Sequence, residues 1–243
     1  MRLATDSIAA QVDSDGPLKP GVMIFRPLRP QVAEEKILRI QGYDDPARVR
    51  PAIRQAAAQM ARTAEEVCEV EVVYRPVAVL QLDDQGITVE GCVRLTCGAF
   101  ADRLQDCVQV VPFILSCGQA LSQKVIELAD AGDLLEAVLL ESAGWLCIED
   151  ATRQLKHCLR SQADLKGCRI TSRMGPGYTY ALLDGEVSWP LEDHPNLFAL
   201  FDGARLPAQL MSSCAMNPKL SRSGLYGIAP LHEPQVGRPE VTH

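Results

Sequence analysis

The hydrophobic period of this chain changes repeatedly and never settles into the regular strand–helix–strand alternation of a parallel sheet. Val32 to Tyr43 reads as a first helix. Val49, Ile53, Ala57, Met60 and Ala61 repeat at helical spacing, in a run that starts at Asp45-Pro46 and reaches about Cys68. The period then shortens. Val70, Val72 and Tyr74 alternate, Val77 to Leu82 run apolar, Asp83 to Gly86 turns the chain, and Ile87-Thr88-Val89 returns. That is a hairpin whose turn is longer than the tightest kind. Val108 to Ser116 is a strongly apolar strand, expected at the centre of a sheet. Gly118 to Ala131 and Asp133 to Gln162 are helical, the second being the longest helix. Phe100 to Cys107 and Asn196 to Phe201 read as short helices. Strands are expected over 21–25, 167–171, Pro207 to Met216 and Gly224 to Ile228. The mixture predicts an α+β fold: a single domain with a twisted, mostly antiparallel sheet flanked by helices. That domain is expected over residues 21–229, between a loose N-terminal extension at 1–20 and a tail at 230–243.

Charge and cysteine usage narrow the function. Lys plus Arg is 24 against 31 Asp plus Glu, a formal charge of −7, whereas a nucleic-acid binder carries a basic footprint. The longest apolar runs fall short of a membrane span, and the polar N-terminus lacks the apolar core of a secretion signal, so a cytoplasmic protein is expected. The nine cysteines include no C-x-x-C pair, and their odd count and spacing fit neither a zinc nor an iron–sulfur site. Reduced, mostly buried thiols are expected, with no metal site. The four histidines are scattered, and His194 reads as a helix-start residue rather than a catalytic one.

Arg173-Met174-Gly175-Pro176-Gly177-Tyr178 follows the strand at 167–171. Its glycines permit positive φ and close backbone approach, and its proline stiffens the turn. Free amides in such a turn, with a planar guanidinium beside them, suit a carboxylate ligand. The same residues also make an ordinary strand-ending turn. On the longest helix, Leu135, Val138, Ser142, Trp145 and Glu149 share one face. Glu149 is thus a carboxylate on a mainly apolar stripe, either engaged by a ligand or lying at the stripe's edge in water.

Three segments together resemble the activation domain of cobalamin-dependent methionine synthase, and more closely its free-standing relatives. They are the helix around Gly144-Trp145-Leu146-Cys147-Ile148-Glu149-Asp150, the turn Arg173–Tyr178, and Trp189-Pro190-Leu191 through Phe198 continued by Met216-Asn217-Pro218-Lys219-Leu220-Ser221-Arg222-Ser223-Gly224. The resemblance covers roughly residues 35–229. It implies an S-adenosylmethionine site in which Arg173 binds the methionine carboxylate, backbone at Gly175 and Gly177 contacts the ligand, Tyr178 shapes the site and Glu149 faces the same ligand. It further implies reductive methylation of cobalamin carried by a partner, either a corrinoid-binding protein or a methyltransferase, with a flavodoxin-type reductant. The chain's part would be positioning, a methyltransferase-type reactivation activity with no catalytic base or nucleophile of its own.

The resemblance has gaps. Gly175 stands where the family often has a small residue with a Cβ, a change expected to matter little. Leu220 replaces a common Ser. The family domain continues past the last strand and supplies another aromatic, and no D-x-H-x-x-G corrinoid motif is present. A non-catalytic docking module that no longer binds S-adenosylmethionine is therefore the alternative expectation.

Overall fold

The computed structural model describes residues 21–45, 48–183 and 185–231. The expected extension at 1–20 and most of the tail lie outside them. The chain forms the expected α+β architecture, and every strand pair in its sheets is antiparallel. β6 (Gln109–Ser116) is the organising strand. On one side it pairs with β2 (Glu71–Tyr74) and with the start of β3 (Val77–Asp83); on the other it pairs with β12 (Ser221–Pro230). Pro112 is tolerated in so central a strand because the missing N–H falls opposite the break between β2 and β3, where Pro112 O accepts from Arg75 N. β1 (Met23–Phe25) extends the sheet beyond β2, while β4 (Gly86–Val89) and β5 (Val93–Thr96) curl away beyond β3. β7 (Cys168–Ile170) pairs with the end of β12.

Both faces of β6 are buried, so its alternation sorts residues between two cores rather than between core and water. Val111, Phe113 and Leu115 point to a helical layer made by α1 (Glu34–Ile40), α2 (Pro51–Val67), α4 (Gln119–Asp130) and α5 (Leu134–Asp164). Val110 and Ile114 point to the second core, with Phe100 of α3 (Ala99–Arg103), Trp189, and Leu197 of α6 (His194–Ala199). Phe100 meets the Trp189 ring edge-on at 4.8 Å.

Several boundaries differ from expectation. α2 starts at Pro51, which takes the first helical position, and not at Asp45-Pro46. Phe100 to Cys107 gives only the single turn of α3. The β3–β4 hairpin is tighter than expected: Asp83 pairs with Gly86, and Asp83 Oδ1 accepts from the N–H groups of Gln85 and Gly86. Pro207 to Met216 is a small hairpin, β10 (Gln209–Leu210) with β11 (Met216–Asn217). A further hairpin, β8 (Thr179–Leu182) with β9 (Gly185–Ser188), follows the Arg173 turn. α6 does start at His194, as the sequence suggests.

Candidate ligand-binding site

The Arg173 turn is welded to the last strand. Met174 and Leu225 exchange both backbone hydrogen bonds, at 2.9 and 2.8 Å. Only glycine permits this approach at residue 224, because a Cβ there would lie 2.2 Å from Met174 O. Gly175-Pro176-Gly177-Tyr178 then forms a type II turn. Tyr178 N–H donates to Gly175 O at 3.3 Å, Pro176 precedes the bend, and Gly177 has φ +83°. The Tyr180 hydroxyl accepts from Gly175 N–H at 2.7 Å and donates to Gly175 O at 3.1 Å. Gly177 N–H donates to Trp189 O. The turn amides expected to be free for a carboxylate are thus paired within the fold at Gly175, Gly177 and Tyr178.

The Arg173 guanidinium lies 4.5 Å from the Tyr178 ring centroid, a cation–π arrangement. Its Nη1 is buried with no hydrogen-bond partner. A buried guanidinium N–H without an acceptor is costly, and a ligand oxygen would relieve it. Gly175 is packed against this group: a Cβ there would lie 3.0 Å from Ser223 O and 3.1 Å from Arg173 Nη1. A Cβ at this position, which the family often has, would therefore require a shift of a few tenths of an ångström in the β12 backbone or the guanidinium.

Glu149, on α5, lies within electrostatic range of the same guanidinium. The apolar stripe on which the sequence puts it is not the core face of α5, since Leu135 and Val138 are 44% and 46% exposed. The core face is Leu139, Leu140, Ala143, Cys147, Ile148, Ala151 and Leu155. Glu149 lies at the edge, its side chain 62% exposed, but it is paired. Arg222 Nη2 donates to Glu149 Oε1 at 2.5 Å, and Arg222 Nη1 donates to Thr152 Oγ1 at 3.2 Å. The bond from Arg222 holds the Glu149 carboxyl below its ordinary range, and the charges of Arg222 and Arg173 add to this. Burial pushes the Tyr226 hydroxyl up to about 12, so it stays neutral. Its ring stacks on Phe113 at 5.6 Å.

Two guanidiniums, one carboxylate and two tyrosines therefore share one side of the sheet. Arg222, Thr152, Tyr180 and Tyr226 escaped the sequence reading. Arg222 lies within the Met216–Gly224 segment, where no sequence signal sets its direction, and only the pairing of β12 with β6 turns it towards α5. Behind the turn, on the opposite face, His194 Nδ1–H donates to Cys214 O at 2.8 Å, which leaves Nε2 to accept from the Ser223 hydroxyl at 2.6 Å. Both side chains are buried and serve the scaffold. Asp193 does the same, accepting from Trp189 Nε1–H at 2.6 Å and Thr96 N–H at 2.9 Å. A separate cleft of about 840 Å³ follows the C-terminal half of α5, past Arg29, Asp150, Gln154 and His157, and none of the five expected site residues lines it.

These features define an α+β domain with a guanidinium-rich site where its last strand meets its longest helix. No protein-family model matches the chain, and no curated protein does. Among solved structures, the MetH reactivation domain bound to AdoHcy is similar, with a TM-score of 0.63 and 13% identity over 88% of this chain and 80% of that chain. The chain therefore has the fold of that reactivation domain. Among the described residues no helix is long and apolar enough to cross a membrane.

Proposed function

We propose that this chain binds S-adenosylmethionine at the Arg173 turn and supports reductive methylation of a corrinoid held by a partner protein. The observation that carries the reading is the unpartnered, buried Arg173 Nη1 beside Tyr178, on the same side of the sheet as Glu149. The fold likeness to a domain whose structure holds S-adenosylhomocysteine adds to it. Arg173 takes the carboxylate of the ligand as a charge-assisted pair. Glu149, largely open to solvent, takes the ammonium. The ligand supplies an electrophilic methyl, and its sulfur keeps the bonding pair and leaves as a neutral thioether. The protein contributes position rather than acid or base. One electron from a flavodoxin-type reductant would bring the partner's cobalt from Co(II) to Co(I), whose electron pair would take the methyl.

One observation favours a second reading, a docking module without ligand. Leu134, Leu135 and Val138 are exposed along the face of α5 that leads to Glu149, and apolar residues in that number suit a partner surface.

The test is methyl transfer from radiolabelled S-adenosylmethionine to cobalamin-dependent methionine synthase lacking its own reactivation domain, under a low-potential reductant. Stimulation by this chain, lost in Arg173→Ala, is expected. Binding to the synthase without any stimulation would overturn the reading in favour of docking.

A further inference from the structure

The site holds more positive charge than a sulfonium ligand calls for, and the excess comes from Arg222. We infer that Arg222 makes this site select ligands that are uncharged at sulfur, so that the thioether S-adenosylhomocysteine binds more tightly than S-adenosylmethionine. The inference rests on the binding reading above and adds to it a preference between the two ligands.

Arg222 is only 8% exposed, and its position is built rather than incidental. It lies on the α5 side of β12, anchored by Glu149 and Thr152, and its Nε is buried without a partner. Arg173 brings a second guanidinium, also with an unsatisfied buried nitrogen. Against these two cations stands Glu149. The neighbouring carboxylates on α5 are committed elsewhere: Glu141 accepts from Lys219, and Asp150 accepts from Arg153 and Gln154. Tyr226 stays uncharged, and Tyr178 faces Arg173 with its ring. Among the described residues the cluster thus carries one net positive charge before any ligand arrives.

S-adenosylmethionine brings a carboxylate, an ammonium and a sulfonium, one further net positive charge; the thioether brings none. The carboxylate finds Arg173, and the ammonium shares Glu149 with Arg222. Among the described residues the sulfonium finds no further counter-charge. Repulsion between like charges persists over several ångströms in a half-buried setting. Because the Glu149 side of the site is open to solvent, screening limits the effect to about tenfold in affinity. A site of this polarity retains the demethylated product, so methyl transfer through it is product-inhibited.

The test is calorimetric titration of the full chain with each ligand separately, in wild type and in Arg222→Leu, with thermal unfolding to check that the variant is folded. Wild type is expected to bind S-adenosylhomocysteine about tenfold more tightly, and the ratio is expected to approach one in Arg222→Leu. The wild-type ratio is also expected to shrink as salt is raised, a readout that needs no variant. Equal affinities in wild type, or tighter binding of the sulfonium, would overturn the inference while leaving the binding reading intact. A ratio unchanged in folded Arg222→Leu would remove Arg222 as its cause. No binding of either ligand would overturn both.

Discussion

Leu220 packs directly onto Gly144: a Cβ on residue 144 would lie 2.6 Å from Leu220 Cδ1 and 3.0 Å from Leu121 Cδ2. This contact lets the start of β12 approach α5 closely and so sets Arg222 within reach of Glu149. Leu220 and Leu121 are buried, so neither can yield freely. Gly144→Ala is expected to lower stability by about 1 kcal/mol, overpacking outweighing the better helix propensity of alanine. In a Leu121→Ala/Leu220→Ala background both contacts are gone, and the same substitution is expected to stabilise by about 0.5–1 kcal/mol. Urea unfolding of the four proteins measures this; the same sign in both backgrounds contradicts the contact.

Gly175 is held between the β12 backbone and the Arg173 guanidinium. Gly175→Ala is expected to cost about 1–2 kcal/mol and to weaken ligand binding by displacing Arg173. Stability and ligand affinity measured on one preparation check it, and an alanine that changes neither is the contrary result.

His194 makes stability depend on pH. Desolvation lowers its folded-state pKa below the ordinary 6.5, despite the bond to Cys214 and the charge of Asp193. Between the two values the unfolded chain binds the extra proton. Stability therefore rises with pH up to about 6.5 and is lost as pH falls below it. His194→Gln is expected to be less stable overall but flatter between pH ~5 and ~7, as read from thermal midpoints across that range.

The thiols are unequal. Cys92 is exposed, whereas Cys97, Cys107, Cys117 and Cys147 are buried. Burial pushes the Cys107 thiol up to about 11, and a hydrogen bond with Cys68 together with burial also pushes the Cys147 thiol up. A disulfide reagent at neutral pH is expected to show one fast thiol, removed in Cys92→Ser, with the buried four reacting only on unfolding. A fast phase that survives Cys92→Ser contradicts this.

The elements that the sequence showed clearly were those whose hydrophobic pattern is long or unbroken. β6 is an apolar run between turns, α5 keeps helical spacing for eight turns' worth of chain, and β12 is bounded by a polar turn. What escaped depended on partners distant in sequence. Either Pro46 or Pro51 could open α2 by local chemistry, and docking on α5 and α1 decides for Pro51. The β8–β9 hairpin has a local signal, Asp184-Gly185, but its strands are too short and mixed to show a clear alternation. At the candidate site, the Arg173–Tyr178 turn was visible through its glycines and proline, and Glu149 through its place on a helix stripe and the family resemblance. The inward aim of Arg222 was not, since it follows from the register Arg222↔Leu115 on a strand whose two faces are both buried.

In the proposed function, Arg173 anchors the S-adenosyl ligand. Titration calorimetry with S-adenosylhomocysteine, in wild type and in Arg173→Ala, tests it most directly. Saturable binding in wild type that disappears in a variant with unchanged circular dichroism is the predicted result. Absence of heat in wild type at millimolar ligand, or equal binding by both proteins, would contradict it.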